Sequence, residues 1–167
     1  MALLEVLKFP DPRLRIKAKP VTEFNKELKR MVDDMYETMY AEHGVGLAGT
    51  QVNIHLRIFT MDVSEKHDSP ICVINPEIIS LEGMQYDYHG CLSVGGGISD
   101  KLERAAKVHL RAVDVNGKPI EFHATELMAI CIQHEMDHLE GKLFIDHLSR
   151  LKQARIRTKL EKLQRRS

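Results

Sequence analysis

Residues 125–141 read Thr-Glu-Leu-Met-Ala-Ile-Cys-Ile-Gln-His-Glu-Met-Asp-His-Leu-Glu-Gly, and the fold and the chemistry of the chain are both read from this stretch. Leu127, Ile130, Cys131, His134 and His138 follow at spacings of 3, 1, 3 and 4, which puts them on one face of a helix predicted from about Thr125 and stopped by Gly141. Within it, His134-Glu135-Met136-Asp137-His138 stacks two imidazoles one turn apart, close enough to bind one metal ion, with Glu135 beside the first able to reach a water there. Two surface histidines beside a chance glutamate would spell the same letters. The stripe shared with Leu127, Ile130 and Cys131 argues otherwise, because it predicts core-facing histidines, and buried imidazoles with no ligand or partner cost desolvation energy.

A metal held by two histidines needs a third protein ligand, and the sequence offers several. A helix continuing His-x-x-Gly-x-x-His fits at Gly141 but meets Phe144 where the third His would stand. A downstream carboxylate could only be Glu161, which sits in a basic terminal segment. Cys91, in His89-Gly90-Cys91-Leu92-Ser93, lies in a glycine-flanked loop able to approach a metal, and its thiolate would be a strong ligand; taken alone it reads more readily as an inert buried thiol. A further segment, Gly44-Val45-Gly46-Leu47-Ala48-Gly49-Thr50-Gln51, permits close backbone approach and ends in an amide that can donate to an oxyanion. It lacks the Lys-Ser/Thr ending of a phosphate-binding loop.

Farther out, Leu28, Met31, Val32, Met35, Tyr36 and Met39 mark an amphipathic helix from about Asn25, a plausible cap, to Ala41. Short β-rich runs follow at Arg57 to Val63 and Ile71 to Asn75, then a turn-rich stretch through Gly83 and Gly90. Val108, Leu110 and Ala112 to Val115 lead through Asn116-Gly117 to the alternating Ile120, Phe122 and Ala124, the pattern of a hairpin. A last helix from Leu151 to about Gln164 carries Ile156, Leu160 and Leu163 on one side. Strands in the middle with helices before and after predict a single α+β domain, a central histidine-bearing helix packed among antiparallel strands.

The 167 residues suit one domain, and 43% hydrophobic with 29% charged residues exclude collagen-like, coiled-coil and low-complexity classes. The longest apolar run, Leu127 to Ile132, is too short to span a bilayer, and the start Met1-Ala-Leu-Leu-Glu is unlike a signal peptide, so a cytoplasmic location without a membrane partner is expected. Three widely spaced cysteines, Cys72, Cys91 and Cys131, suit a reducing compartment. The formal charge is zero, yet Ser149 to Ser167 hold eight Lys or Arg against one acid, a net of +7, which leaves 16 bases and 23 acids, a net of −7, in residues 1–148. The chain thus divides into a body, 1–148, that carries the candidate metal-hydrolase residues, and a basic C-terminal helix, 149–167, which reads either as a footprint for a polyanion or as a solvated face.

Taken together, Gly-x-Gly-Leu-Ala-x-x-Gln at 44–51, Gly-Cys-Leu-Ser at 90–93 and His-Glu-x-x-His at 134–138, in this order, resemble peptide deformylase, and the resemblance extends over essentially the whole chain. Leu7 to Leu14, Asp33 to Gly44, Ile74-Asn75-Pro76 and Ala129 to Phe144 look like the bacterial enzymes, and the long last helix resembles the Gram-negative form. The resemblance implies one divalent metal held by Cys91, His134 and His138, ferrous in the cell and replaceable by zinc, nickel or cobalt. It implies hydrolysis of the formyl group from N-formylmethionine on nascent polypeptides, with Glu135 as general base and with Gln51 and the Leu92 backbone N–H at the oxyanion. A methionine pocket would be walled by Val45, Gly46, Leu127, Ile130 and Cys131. The terminal helix would dock on ribosomal RNA, and no DNA partner is implied.

Departures accompany the match. His89 stands where the family has a Glu expected to pair with an Arg near position 104, and Gly95-Gly96-Gly97 replaces a common Pro. Gly49 and Glu103 replace Ala and Pro. A weaker or more selective deformylase, such as a divergent second copy beside a standard one, is expected from these changes. A metalloprotease of other specificity and a ribosome-binding homologue of low activity are the competing readings.

Overall fold

A computed structural model describes residues 2–94 and 99–166. Asn25 caps the first helix, α1 (Lys26–Ala41), its side chain accepting from the Leu28 N–H, and Leu28, Val32, Met35 and Met39 are buried along it as the periodicity predicts. The chain then forms β1 (Gly46–Ala48), a 3-10 turn (Gly49–Val52), β2 (Ile58–Met61) and β3 (Ile71–Glu82). Next come β4 (Gln85–Gly90), β5 (Ser99–Arg104), β6 (Lys107–Val113) and β7 (Pro119–Thr125). The histidine-bearing helix α2 (Glu126–Leu139), a 3-10 turn (Phe144–His147) and α3 (Arg150–Arg166) complete the chain.

Five strands pair in the order β1-β2-β3-β6-β7, all antiparallel, and β4 pairs with β5 in a separate ribbon. Alternation divides the large sheet into two apolar faces. Ala48, Phe59, Met61, Val73, Leu110 and Ala124 pack with Ala129, Cys131 and Ile132 of α2 on one face. Leu47, Ile58, Cys72 and Ile74 pack with α1 on the other. A third cluster, with Leu7, Phe9, Leu14, Leu102 and Phe144, receives Leu160 and Ile156 of α3. Each fully buried side chain of this size contributes about 1.5–3 kcal/mol.

The predicted α+β class, with the histidine helix among antiparallel strands, is the observed one. The strands differ in detail. What reads as turns from Gly83 to Gly90 holds β4, and β3 runs on past Asn75 to Glu82. Asn75, with φ +52°, and Pro76 interrupt the apolar pattern without ending the strand, because the Asn75 amide bonds both the Val21 N–H and the Val21 carbonyl while the ladder resumes after a register shift. The β6–β7 hairpin turns through three residues between the paired Asp114 and Lys118, with Gly117 at φ +79°. Gly141 does end α2, at φ +76°, and a Cβ there would lie 2.4 Å from the Arg15 carbonyl oxygen. Among the described residues no helix is long and apolar enough to cross a membrane.

Candidate metal centre

Three segments far apart in sequence converge beside α2. His134 and His138 face each other with Nε2 atoms 3.1 Å apart, their rings edge-on at 4.8 Å. Cys91, from the turn after β4, brings its Sγ to 3.3 Å from His138 Nε2, and the three ligand atoms all lie within 4.8 Å of one another. Bonds of about 2.0–2.3 Å to a tetrahedral ion would separate such atoms by about 3.3–3.6 Å, so little movement is needed to enclose one. Three protein donors leave a fourth position open, the pattern of catalytic sites.

The surroundings favour ligation. His138 is fully buried, and burial, reinforced by Arg104 and Arg15, pushes its imidazole down to about 3, leaving the neutral ring that a metal requires. Burial and the nearby Glu135 push the Cys91 thiol up to about 12 in the metal-free protein, a cost that a cation between sulfur and imidazoles removes. His138 Nδ1 and Glu135 Oε2 are buried without a hydrogen-bond partner. Glu135 itself is 1% exposed, with Oε1 3.8 Å from His134 Nε2, and burial, then Asp137, raises its carboxyl well above the usual range. Gly46 allows this carboxyl to lie against β1: a Cβ there would stand 2.8 Å from Cys131 Sγ and 3.2 Å from Glu135 Cδ.

Gln51, on the 3-10 turn after β1, is buried with its Oε1 accepting from the Ala48 N–H. Its Nε2 donates to Ser93 Oγ at 3.1 Å and points at Cys91 Sγ at 3.6 Å, so the amide faces the cluster. The Leu92 carbonyl accepts from Lys8 Nζ at 2.6 Å, and the Phe9 N–H donates to the Ser93 carbonyl. The N-terminal segment therefore stitches the cysteine turn to the body, which no local pattern announces.

The proposed pocket wall is graded. Cys131 is buried, Ile130 half-buried, and Leu127 and Val45 are 49% and 38% exposed. The expectation of a core-facing stripe fails at Leu127, because periodicity defines a face but not what covers it. That face runs from solvent at Leu127 to the fully buried His138.

Arg104 is 7% exposed and donates through Nη1 to Asp137 Oδ2 at 2.9 Å, while His147 Nε2 lies 2.8 Å from the same oxygen. The guanidinium thus engages a carboxylate of α2 itself. Gln133 adds a second brace, its Oε1 accepting from the Ala105 N–H and its Nε2 donating to the carbonyls of Ala105 and Ala129. Sequence reading missed both braces, since the partners lie about thirty residues apart on strand and helix. The side chain of His89 and residues Gly95-Gly96-Gly97 lie outside the described residues.

Comparison with known proteins gives one consistent answer. The family model described as polypeptide deformylase matches residues 3–154. A peptide deformylase from Legionella pneumophila is similar at 44% identity and a TM-score of 0.94, over 98% of this chain and 96% of that one. The enzyme from Ehrlichia chaffeensis in complex with actinonin is 34% identical, with a TM-score of 0.91, over 100% and 99%. That from Thermotoga maritima is 39% identical, with a TM-score of 0.84, over 89% and 99%. Sequence and fold agree over nearly the whole length, and the chain belongs to the polypeptide deformylase family.

Proposed function

We propose that Cys91, His134 and His138 hold one divalent cation, that Glu135 moves the protons of the reaction, and that the Gln51 amide and the Leu92 backbone N–H receive the carbonyl oxygen. The reaction is that of the family, hydrolytic removal of the formyl group from the N-terminus of nascent polypeptides. The convergence of one sulfur and two imidazole nitrogens beside a buried carboxylate carries this reading. When bound, the cation supplies a Lewis acid and lowers the pKa of water toward neutrality.

The remaining steps belong to the side chains. Glu135, buried against Gly46, takes the proton from the attacking water and returns it to the departing methionine amine. Gln51 can turn one N–H toward the developing oxyanion, and loss of one such donor costs about 2.7–4 kcal/mol of transition-state stabilisation. Cys131 forms the floor of the methionine pocket, with Ile130, Leu127, Val45 and the Gly46 backbone toward its mouth, consistent with their graded exposure. Ferrous iron is the metal we favour; zinc, nickel and cobalt suit the same donors.

We place the enzyme in the cytoplasm, at the ribosome. Ile156 and Leu160 hold α3 against the body while Arg150, Arg155, Arg157, Lys159, Lys162 and Arg165 stay exposed, which supports phosphate contacts along its outer face. Lys152 is tied to Asp100 at 3.2 Å. Formate release from formyl-Met-Ala-Ser by anaerobically prepared protein, with metal content measured on the same sample, tests the reading. Turnover proportional to bound metal is expected; turnover independent of metal would contradict it.

A further inference from the structure

The β6–β7 hairpin carries a second cluster of metal-binding side chains. Its strands pair in register from Lys107 opposite Thr125 to Val113 opposite Pro119, which places His109 directly across from His123 and Arg111 across from Glu121. Val108, Leu110, Ala112 and Ala124 point into the core beneath α2, so by alternation His109, His123 and Glu121 stand together on the other side of the sheet. Helix α1 packs on β1 and β2, and there the hairpin faces solvent.

The two imidazoles are stacked, with centroids 4.2 Å apart and planes 19° from parallel. His109 Nε2 is hydrogen-bonded to Glu121 Oε1, and one ligand atom from each of the three residues lies within 4.8 Å of the others. Stacked imidazoles repel when both are protonated and gain little on a wet surface when both are neutral. A cation shared by the rings and the carboxylate uses all three. Beside them lies a shallow cleft of about 120 Å³ bounded by Ser80, Glu82, Lys107, His109, His123 and Thr125. At about 30 Å³ per water it can admit an ion with part of its hydration shell.

We propose that His109, His123 and Glu121 form a second, exchangeable site for a divalent transition metal of the zinc and nickel class, on the face of the sheet opposite the catalytic centre. Two imidazoles and one carboxylate suit such ions, whereas calcium and magnesium prefer oxygen ligands alone. Backbone pairing of the hairpin fixes the spacing of the three Cα positions before the ion arrives, and the rings need only turn out of their stack to aim one nitrogen each at it. Arg111 Nε lies 3.4 Å from Glu121 Oε1 and must yield that oxygen, so binding here is weaker than at the catalytic cluster.

Equilibrium dialysis of the holoenzyme against zinc, followed by metal analysis, tests the site. The wild-type protein should bind one zinc more than a His109→Asn, His123→Asn double variant, and zinc should raise the thermal midpoint of the wild type but shift the variant less. Formyl-peptide turnover without added zinc should be the same in both, reporting that the variant is folded. In NMR spectra of the wild type, the ring signals of His109 and His123 should move together on zinc addition. Equal zinc content in the two proteins, or unmoved ring signals, would overturn the proposal. The comparison counts a difference of one site, so it stands or falls independently of what binds at Cys91.

Discussion

The two sides of the candidate metal cluster are built differently. His134 and His138 ride on a helix braced from beneath: Arg104 and His147 share Asp137, Gln133 brackets Ala105, and Thr50 Oγ1 donates to the His138 carbonyl. Cys91 comes from a turn held by three bonds from two segments, from Lys8 to the Leu92 carbonyl and Phe9 to the Ser93 carbonyl in the N-terminal segment and from Gln51 to Ser93 Oγ. On the helix side the ligands are tied to the stability of the fold. On the cysteine side, if Cys91 is the ligand proposed above, its position should be able to change while the fold persists, and substrate and metal affinity should be tunable there at little cost in folding.

Damage to the helix brace should have the largest effect on stability. Asp137→Ala leaves the Arg104 guanidinium buried with no carboxylate, and loss of one partner of a buried pair costs about 3–5 kcal/mol. Chemical denaturation should show that loss in the metal-free protein as well as in the holoenzyme. A loss confined to the holoenzyme would mean that Asp137 serves the metal and not the helix.

A third anchor lies on neither side and sharpens the comparison through its pH dependence. Burial opposes ionisation of Asp62, but bonds from Ser64, Tyr40 and Ser69 outweigh it and hold the carboxyl at about 2, below its ordinary 3.8. Its stabilisation is fully present above about pH 4 and is lost as the pH falls through 2, because the unfolded chain takes up the proton first. Asp62→Asn should flatten the acid limb of the stability curve between those values, with metal content at neutral pH unchanged. An unaltered acid limb would remove Asp62 from the account.

The smallest change in stability should come from the cysteine side. Lys8→Met removes one exposed hydrogen bond, about 0.5–1.5 kcal/mol, yet it frees the Leu92 peptide, and metal retention should fall by about 10–100-fold, as for other changes in residues supporting a metal ligand. Stability and metal retention falling in step would erase the contrast between the two sides.

How much of this was legible in the sequence follows the same division. Both long-patterned helices, α1 with its Asn25 cap and α2 with its histidine pair, could be read because their periodicity is local. The ribbon β4–β5 could not, since Gln-Tyr-Asp-Tyr-His-Gly and Ser-Asp-Lys-Leu-Glu-Arg carry no run of alternating aliphatic residues, and cross-strand pairing with the single core anchor Leu102 holds them as strands. Cys91 and Gln51 could be read as candidates from their glycine-rich surroundings, but only the family resemblance joined them to the histidine pair. Their meeting at 3.6 Å depends on the N-terminal segment, where the Leu7 N–H donates to the Gln51 carbonyl and the Phe9 N–H to the Ser93 carbonyl, which is a property of the tertiary fold. The Arg104–Asp137 pair joins residues 33 apart and has no local pattern at all.

The proposed role of Glu135 is to move protons at a centre whose cation is held by Cys91, His134 and His138. Glu135→Gln keeps the shape of the side chain and all three ligands, so metal content and formate release measured on one sample separate binding from chemistry. The variant should hold one metal per chain and lose turnover by at least the 10²–10⁴-fold that a general base contributes. Full turnover at full metal occupancy would contradict the account.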